Sequence, residues 1–307
     1  MTIDFAIIGQ PKSGTTALAA FLAQHPRVCV SVPKETARFA TDLQRASDEF
    51  HGAVRYFKVR DDATYAAAFA HCTPGQLRGD ASTAYLHSRE AAANVHAANP
   101  DARLVVLLRE PVSYMHSLHM QYCNETTEDE PSFERALELE AERIAGRSIP
   151  SRVRVPSFVL YRERARYAPQ LERWYEHFDR EQVLVLLAEE FQRDNAGHVR
   201  RVLAHLGIDD AEQFEPEVGT VHGSAEPRNA LVNRVLNNPA LKNTLFRVVG
   251  PQRYTAVRKR VGSLMMRPAR REQLDPQLVA RLREELGPDV DAASALIGRD
   301  LRAAWGW

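Results

Sequence analysis

The chain has 307 residues, 44% hydrophobic and 26% charged, values that suit a globular protein with a sizeable core and argue against disorder. Its longest apolar run, Ala17 to Ala23, falls far short of the ~20 residues needed to cross a bilayer, so a transmembrane protein is not expected. Forty basic and forty acidic residues give a net charge of zero, but the signs are segregated: eleven Lys or Arg and no acid between Arg228 and Arg271, eight acids and one Arg between Glu125 and Glu142.

The basic stretch suits an anion, a nucleic acid or an anionic membrane surface, or else the solvated faces of helices. The N-terminus has no basic region followed by an apolar stretch and a cleavage site, so no secretory signal is expected. Three scattered cysteines, Cys29, Cys72 and Cys123, fit a reduced compartment without a cysteine-based metal site, and the expectation is a cytoplasmic protein.

In chain order, Ile3 to Gly9 predicts a buried parallel strand, followed by a turn and a helix from about Gly14 to Gln24 that Pro26 ends. Leu104 to Leu108 predicts a second buried strand, with Pro111 opening a helix that carries Tyr114, Ser117 and Tyr122. Pro169 to Phe178 is amphipathic, and Val183 to Ala188 predicts a third strand. Further amphipathic stretches are Ala196 to Leu206, stopped by Gly207, and Pro276 to Leu286, stopped by Gly287. No repeat or flexible linker divides the chain, so one domain over residues 1–307 is expected. The alternation predicts an α/β fold: a central parallel sheet flanked by helices, with ligands at the carboxyl ends of the strands.

Gly9-Gln10-Pro11-Lys12-Ser13-Gly14-Thr15-Thr16 joins the first strand to its helix, the context in which backbone N–H groups bind phosphate oxygens. Gly9 and Gly14 have P-loop spacing, but Thr15 stands where a nucleoside triphosphatase carries lysine, and the lysine lies within the loop as Lys12. A kinase or ATPase also needs an acidic residue at the end of a neighbouring strand to hold magnesium. Here Leu104 to Leu108 ends in Arg109, which attracts a second phosphate, and Ser117 lies two helical turns on to share it. The ligand implied has two separated anionic groups and needs no metal.

Pro11 to Thr16 resembles the 5'-phosphosulfate loop, and Arg109-Glu110-Pro111 with Ser117 the 3'-phosphate motif, of sulfotransferases that use 3'-phosphoadenosine-5'-phosphosulfate (PAPS). Lys34-Glu35 with Phe39, Gly79 to Tyr85, Tyr167 to Trp174 and Ile297 to Leu301 with Trp305 are similar to the heparan-sulfate sulfotransferase-like branch found in bacteria. The resemblance implies transfer of a sulfuryl group from PAPS, without metal, to a hydroxyl or amine of a sugar, lipid, small natural product or tyrosine side chain. It implies that Lys12 stabilises the leaving phosphate and that Glu35 is the general base, with Lys34 beside the acceptor. Pro11, Lys12, Ser13, Gly14, Thr15, Thr16, Arg109 and Ser117 would hold the cofactor. Arg228 stands in for a cofactor loop that has no clear match. Two departures are Tyr114, where the family often has a second arginine, and Ala37-Arg38, where it often has His and Phe.

Competing expectations are a P-loop small-molecule kinase and a non-enzymatic binder of anionic surfaces through residues 228–271. Asp80 reads equally as a buried partner or a catalytic carboxylate. His116 and His119 share a helix face but lack a third metal ligand nearby.

Overall fold

The computed structural model describes residues 2–217, 225–227, 266–268 and 274–307. Strands β1 (Phe5–Gly9), β2 (Val28–Val30), β3 (Leu77–Asp80), β4 (Arg103–Leu108) and β5 (Val183–Leu187) form one sheet in the order β2-β3-β1-β4-β5. Every neighbouring pair is parallel, as the alternation of strands and helices predicts.

Along β1 and β4 successive side chains enter opposite cores. Ala6, Ile8, Leu104, Val106 and Leu108 join one buried cluster, and Phe5, Ile7, Val105 and Leu107 the other. A sheet covered on both faces has no polar side, which is why these strands are unbroken apolar runs in sequence. The Thr15–Leu22 and Asn195–His205 helices cover one face through Leu18, Leu22, Val199 and Val202. The Pro111–Asn124, Ala168–Tyr175 and Pro276–Ile297 helices contribute Leu118, Leu171, Trp174 and Leu282 to the core on the other.

Two strands escape the hydrophobic pattern. β2 has three residues, and β3 reads Leu-Arg-Gly-Asp. Gly79 is required there because a Cβ would stand 2.0 Å from the Phe5 ring of β1.

The C-terminal helix corrects a predicted boundary, running through Gly287 and Pro288 to Ile297. Leu282 and Leu286 before the break and Val290 and Ala293 after it are all buried, so packing holds both halves in line despite the hydrogen bond that proline removes. Gly287 lies under the Arg302 guanidinium, where a Cβ would come within 2.6 Å.

The cysteine reading is also corrected. Cys29 on β2 and Cys72, beyond the Asp62–Ala67 helix, form a disulfide with Cα atoms 5.7 Å apart. Their separation of 43 residues hid a contact that the fold makes by docking that helix on the β2 end, where Val32 N donates to Ala68 O. The bond removes the ground for a reduced compartment. His71 joins the pair, so that three ligand-type atoms lie within 4.8 Å of one another. Among the described residues no helix is long and apolar enough to cross a membrane.

Candidate active site

The strand order reverses beside β1: the chain leaves it for β2 and β3 on one side and later enters β4 on the other. Such a switch point opens a crevice at the carboxyl ends of the strands. The loop after β1 is anchored from beneath, because Gln10 N donates to Leu107 O at 2.8 Å and its side-chain amide to Gln170 Oε1 at 2.9 Å. Gly14 then turns the chain with φ of +98°, a left-handed conformation that side chains resist. It opens the Thr15–Leu22 helix with no side-chain cap and no acid in the first turn, leaving the positive helix end to a ligand. The Ser13 hydroxyl is buried with no hydrogen-bond partner among the described residues. Burial, and then the charge of Arg109, hold the Lys12 ammonium below its ordinary pKa, with Glu125 opposing. An anion in the loop would satisfy all three features.

Arg109 meets this loop directly, its Nη1 donating to Lys12 O at 3.0 Å. Its own carbonyl accepts from Tyr167 OH at 2.8 Å. Glu110 caps the next helix, accepting from Ser113 N at 2.6 Å, and receives Trp307 Nε1 at 3.0 Å. The two sequence motifs, about a hundred residues apart in the chain, thus form one electropositive corner. Ser117 sits partly buried on the same helix as Tyr114 but does not line the cavity that Lys12 and Arg109 border. Arg228 and the basic segment 228–271 lie outside the described residues, apart from Met266–Pro268, whose backbone pairs antiparallel with Ala225–Pro227.

Glu35 is on the opposite lip, with its side chain 44% exposed. Lys34 Nζ donates to Glu35 Oε1 at 3.1 Å and reaches Thr15 Oγ1 at 3.5 Å, while Thr83 Oγ1 donates to Glu35 Oε2 at 3.3 Å. Lys34 therefore links the carboxylate to the end of the loop after β1, a role invisible in a Lys-Glu dipeptide.

Asp80 is fully buried at the end of β3 and accepts from Thr36 Oγ1 (2.5 Å), Ser82 Oγ (2.6 Å), Tyr85 OH (2.6 Å) and Tyr65 OH (3.2 Å). Burial pushes its pKa up against these donors. It is out of reach of a substrate and holds the Glu35 loop, since Ser82 Oγ also accepts from Ala37 N at 2.9 Å. Asp80→Ala should lower the unfolding free energy by about 3–5 kcal/mol, because several buried hydroxyls lose their acceptor together. Urea denaturation measures this, and an unchanged midpoint would mean that those hydroxyls find other partners.

The histidine pair is structural in its contacts. His119 meets Glu130 O at 2.8 Å, and both His116 and His119 pack on Phe133.

Lys12, Thr15, Glu35 and Arg109 all border one cavity of roughly 930 Å³. Its lining also holds residues the sequence reading left unassigned: Phe57, Lys58, Tyr122, Arg154, Phe158 and Arg164. The signal for them was absent, because they come from three separate segments that only the fold assembles.

Sheet and site together define an α/β protein built around an electropositive crevice at a topological switch point. Residues 4–212 match the sulfotransferase family, and the chain belongs to it. Over 202 residues it is 30% identical to heparan sulfate glucosamine 3-O-sulfotransferase 6 of Homo sapiens, covering 66% of this chain and 51% of that protein. It is 24% identical over 231 residues to bifunctional heparan sulfate N-deacetylase/N-sulfotransferase 4 of Mus musculus, covering 70% and 24% respectively. The chain spans about half the length, or less, of these relatives. A sulfotransferase from Alicyclobacillus acidocaldarius has the same fold, with a TM-score of 0.71 at 26% identity over the whole of both chains.

Proposed function

We propose that residues 1–307 act as one PAPS-dependent sulfotransferase unit that moves a sulfuryl group to a hydroxyl or amine of an acceptor. The observation that carries this reading is the meeting of the uncapped loop of Lys12 with Arg109, across the crevice from a carboxylate tied to the same loop by Lys34. PAPS, when bound, supplies the activated sulfuryl group and a phosphate leaving group. The backbone of Pro11 to Thr16 and the Ser13 hydroxyl bind the 5' end, and Arg109 with Ser117 binds the 3'-phosphate. Arg228 completes the cofactor site. Lys12 stabilises the charge that grows on the leaving oxygen. Glu35, open to the crevice and hydrogen-bonded on each oxygen, takes the proton from the acceptor.

Arginine at the end of β4, where a kinase needs an acid for magnesium, favours this over nucleoside triphosphate chemistry. The test is a thermal shift without added metal. Adenosine 3',5'-bisphosphate at a hundredfold excess over its Kd should stabilise the fold by about 2.7 kcal/mol. Arg109→Ala should abolish most of that gain by removing the charged partner of the 3'-phosphate. A larger shift with ATP and magnesium would overturn the assignment in favour of a kinase.

A further inference from the structure

One wall of the crevice contains a buried cation with no counter-ion among the described residues. Arg164, at 2% exposure, belongs to the short Tyr161–Ala165 helix and borders the cavity. Its Nε donates to Tyr114 OH at 3.2 Å and its Nη1 to Tyr122 OH at 3.4 Å, while the guanidinium lies 4.5 Å over the Phe158 ring. All three partners are neutral. Burial pushes the phenols of Tyr114 and Tyr122 further from ionisation, the latter to about 12. No carboxylate among the described residues lies within ion-pair distance of Arg164. The contrast with its neighbours is sharp: buried Arg143 grips Glu128 at 2.8 Å, and Arg162 grips Glu140 at 2.8 Å and Glu285 at 3.0 Å.

A guanidinium taken out of water with only neutral partners is unfavourable unless something supplies the opposite charge. Two of its five N–H groups are used, and the rest suit a bidentate carboxylate. The cavity wall there mixes the apolar and aromatic Phe57, Val59, Tyr122, Val153 and Phe158 with the polar Lys58, Gln121, Glu125, Thr127 and Arg154. The rings of Tyr122 and Phe158 directly beside the guanidinium give a ring or alkyl body a surface to pack on. Glu35 borders the same cavity, so one molecule can present its nucleophile there and its anion to Arg164.

We propose that Arg164 binds a carboxylate of the acceptor, and that the acceptor is a small acid with an apolar or aromatic body. This rests on the sulfotransferase reading above, and the experiment separates the two.

With adenosine 3',5'-bisphosphate saturating, calorimetry would compare 3-(4-hydroxyphenyl)propanoate with its methyl ester and with a heparan-type oligosaccharide. The acid should bind at least about tenfold more tightly than either. Arg164→Met should bring the acid down to the ester's level and leave the bisphosphate affinity within about twofold, and Arg164→Lys should restore part of the difference. Should the Met variant fail to fold, the ratio of acid to ester in the unaltered protein still decides. Equal binding of acid and ester, no binding of the acid, or preference for the oligosaccharide would each overturn the proposal. So would parallel loss of acid and bisphosphate binding in Arg164→Met, which would place the guanidinium on the cofactor. Failure of the unaltered protein to bind the bisphosphate at all would instead refute the sulfotransferase reading.

Discussion

Glu35→Gln is expected to leave adenosine 3',5'-bisphosphate binding intact while turnover falls ~10²–10⁴-fold. Glutamine keeps the length of the side chain and can still accept from Lys34 through its one amide oxygen, while its NH2 group faces the Thr83 hydroxyl, which can turn to accept; in the carboxylate these two donors meet separate oxygens at 3.1 and 3.3 Å. It cannot take a proton from the acceptor. Ground-state contacts with the cofactor are untouched, so the loss should fall on kcat, with the thermal shift by the bisphosphate unchanged. Steady-state kinetics with a competent acceptor gives the answer. Near-normal turnover would refute the base assignment, and Asp80 would not inherit the role, because it is sealed behind four donors and serves to hold the loop.

Lys12→Met should behave differently, lowering turnover by ~10²–10³-fold and weakening bisphosphate binding as well, since the ammonium faces the anion before and during transfer. Methionine keeps the unbranched stem. The same lysine makes binding sensitive to pH. In the free protein, burial and Arg109 hold its pKa below the ordinary 10.5. A bound anion raises it again, so binding is linked to proton uptake and affinity must fall as pH climbs past the free-protein pKa. Titration calorimetry of the bisphosphate from neutral to alkaline pH should show this weakening, and Lys12→Met should flatten it. Affinity independent of pH in the unaltered protein would mean that Lys12 does not face the phosphates.

Local chemistry alone made half of the site readable. A glycine-bounded loop after an apolar strand, with a lysine and hydroxyls but no metal-binding acid, specifies an anion site wherever it lies in a fold. Arginine at the end of a second apolar strand does the same, and both strands are buried as their composition demands. That the two loops touch through Arg109 and the Lys12 carbonyl follows from β1 and β4 being neighbours in a parallel sheet.

Features that depend on which distant segments become neighbours were not readable in this way. β3 pairs with β1 across Gly79, a strand too short and polar to betray itself by hydropathy. Asp80 could be separated from a catalytic carboxylate only once Thr36, Tyr65, Ser82 and Tyr85 were seen to surround it. Cys29 and Cys72 meet because a helix docks at the end of β2, and the Pro276–Ile297 helix survives Gly287 and Pro288 because its apolar face is buried on both sides of them.

By itself the sequence determined the parallel α/β class and singled out the glycine-bounded loop and the arginine that ends the second strand, because strand burial and loop chemistry are properties of contiguous residues. The tertiary structure decided which carboxylate is open and which is sealed, how Lys34 ties Glu35 to the loop, and where Arg164 meets the crevice with no counter-ion among the described residues. Those are matters of solvent access and of the nearest charge in space, and neither is a property of neighbours along the chain.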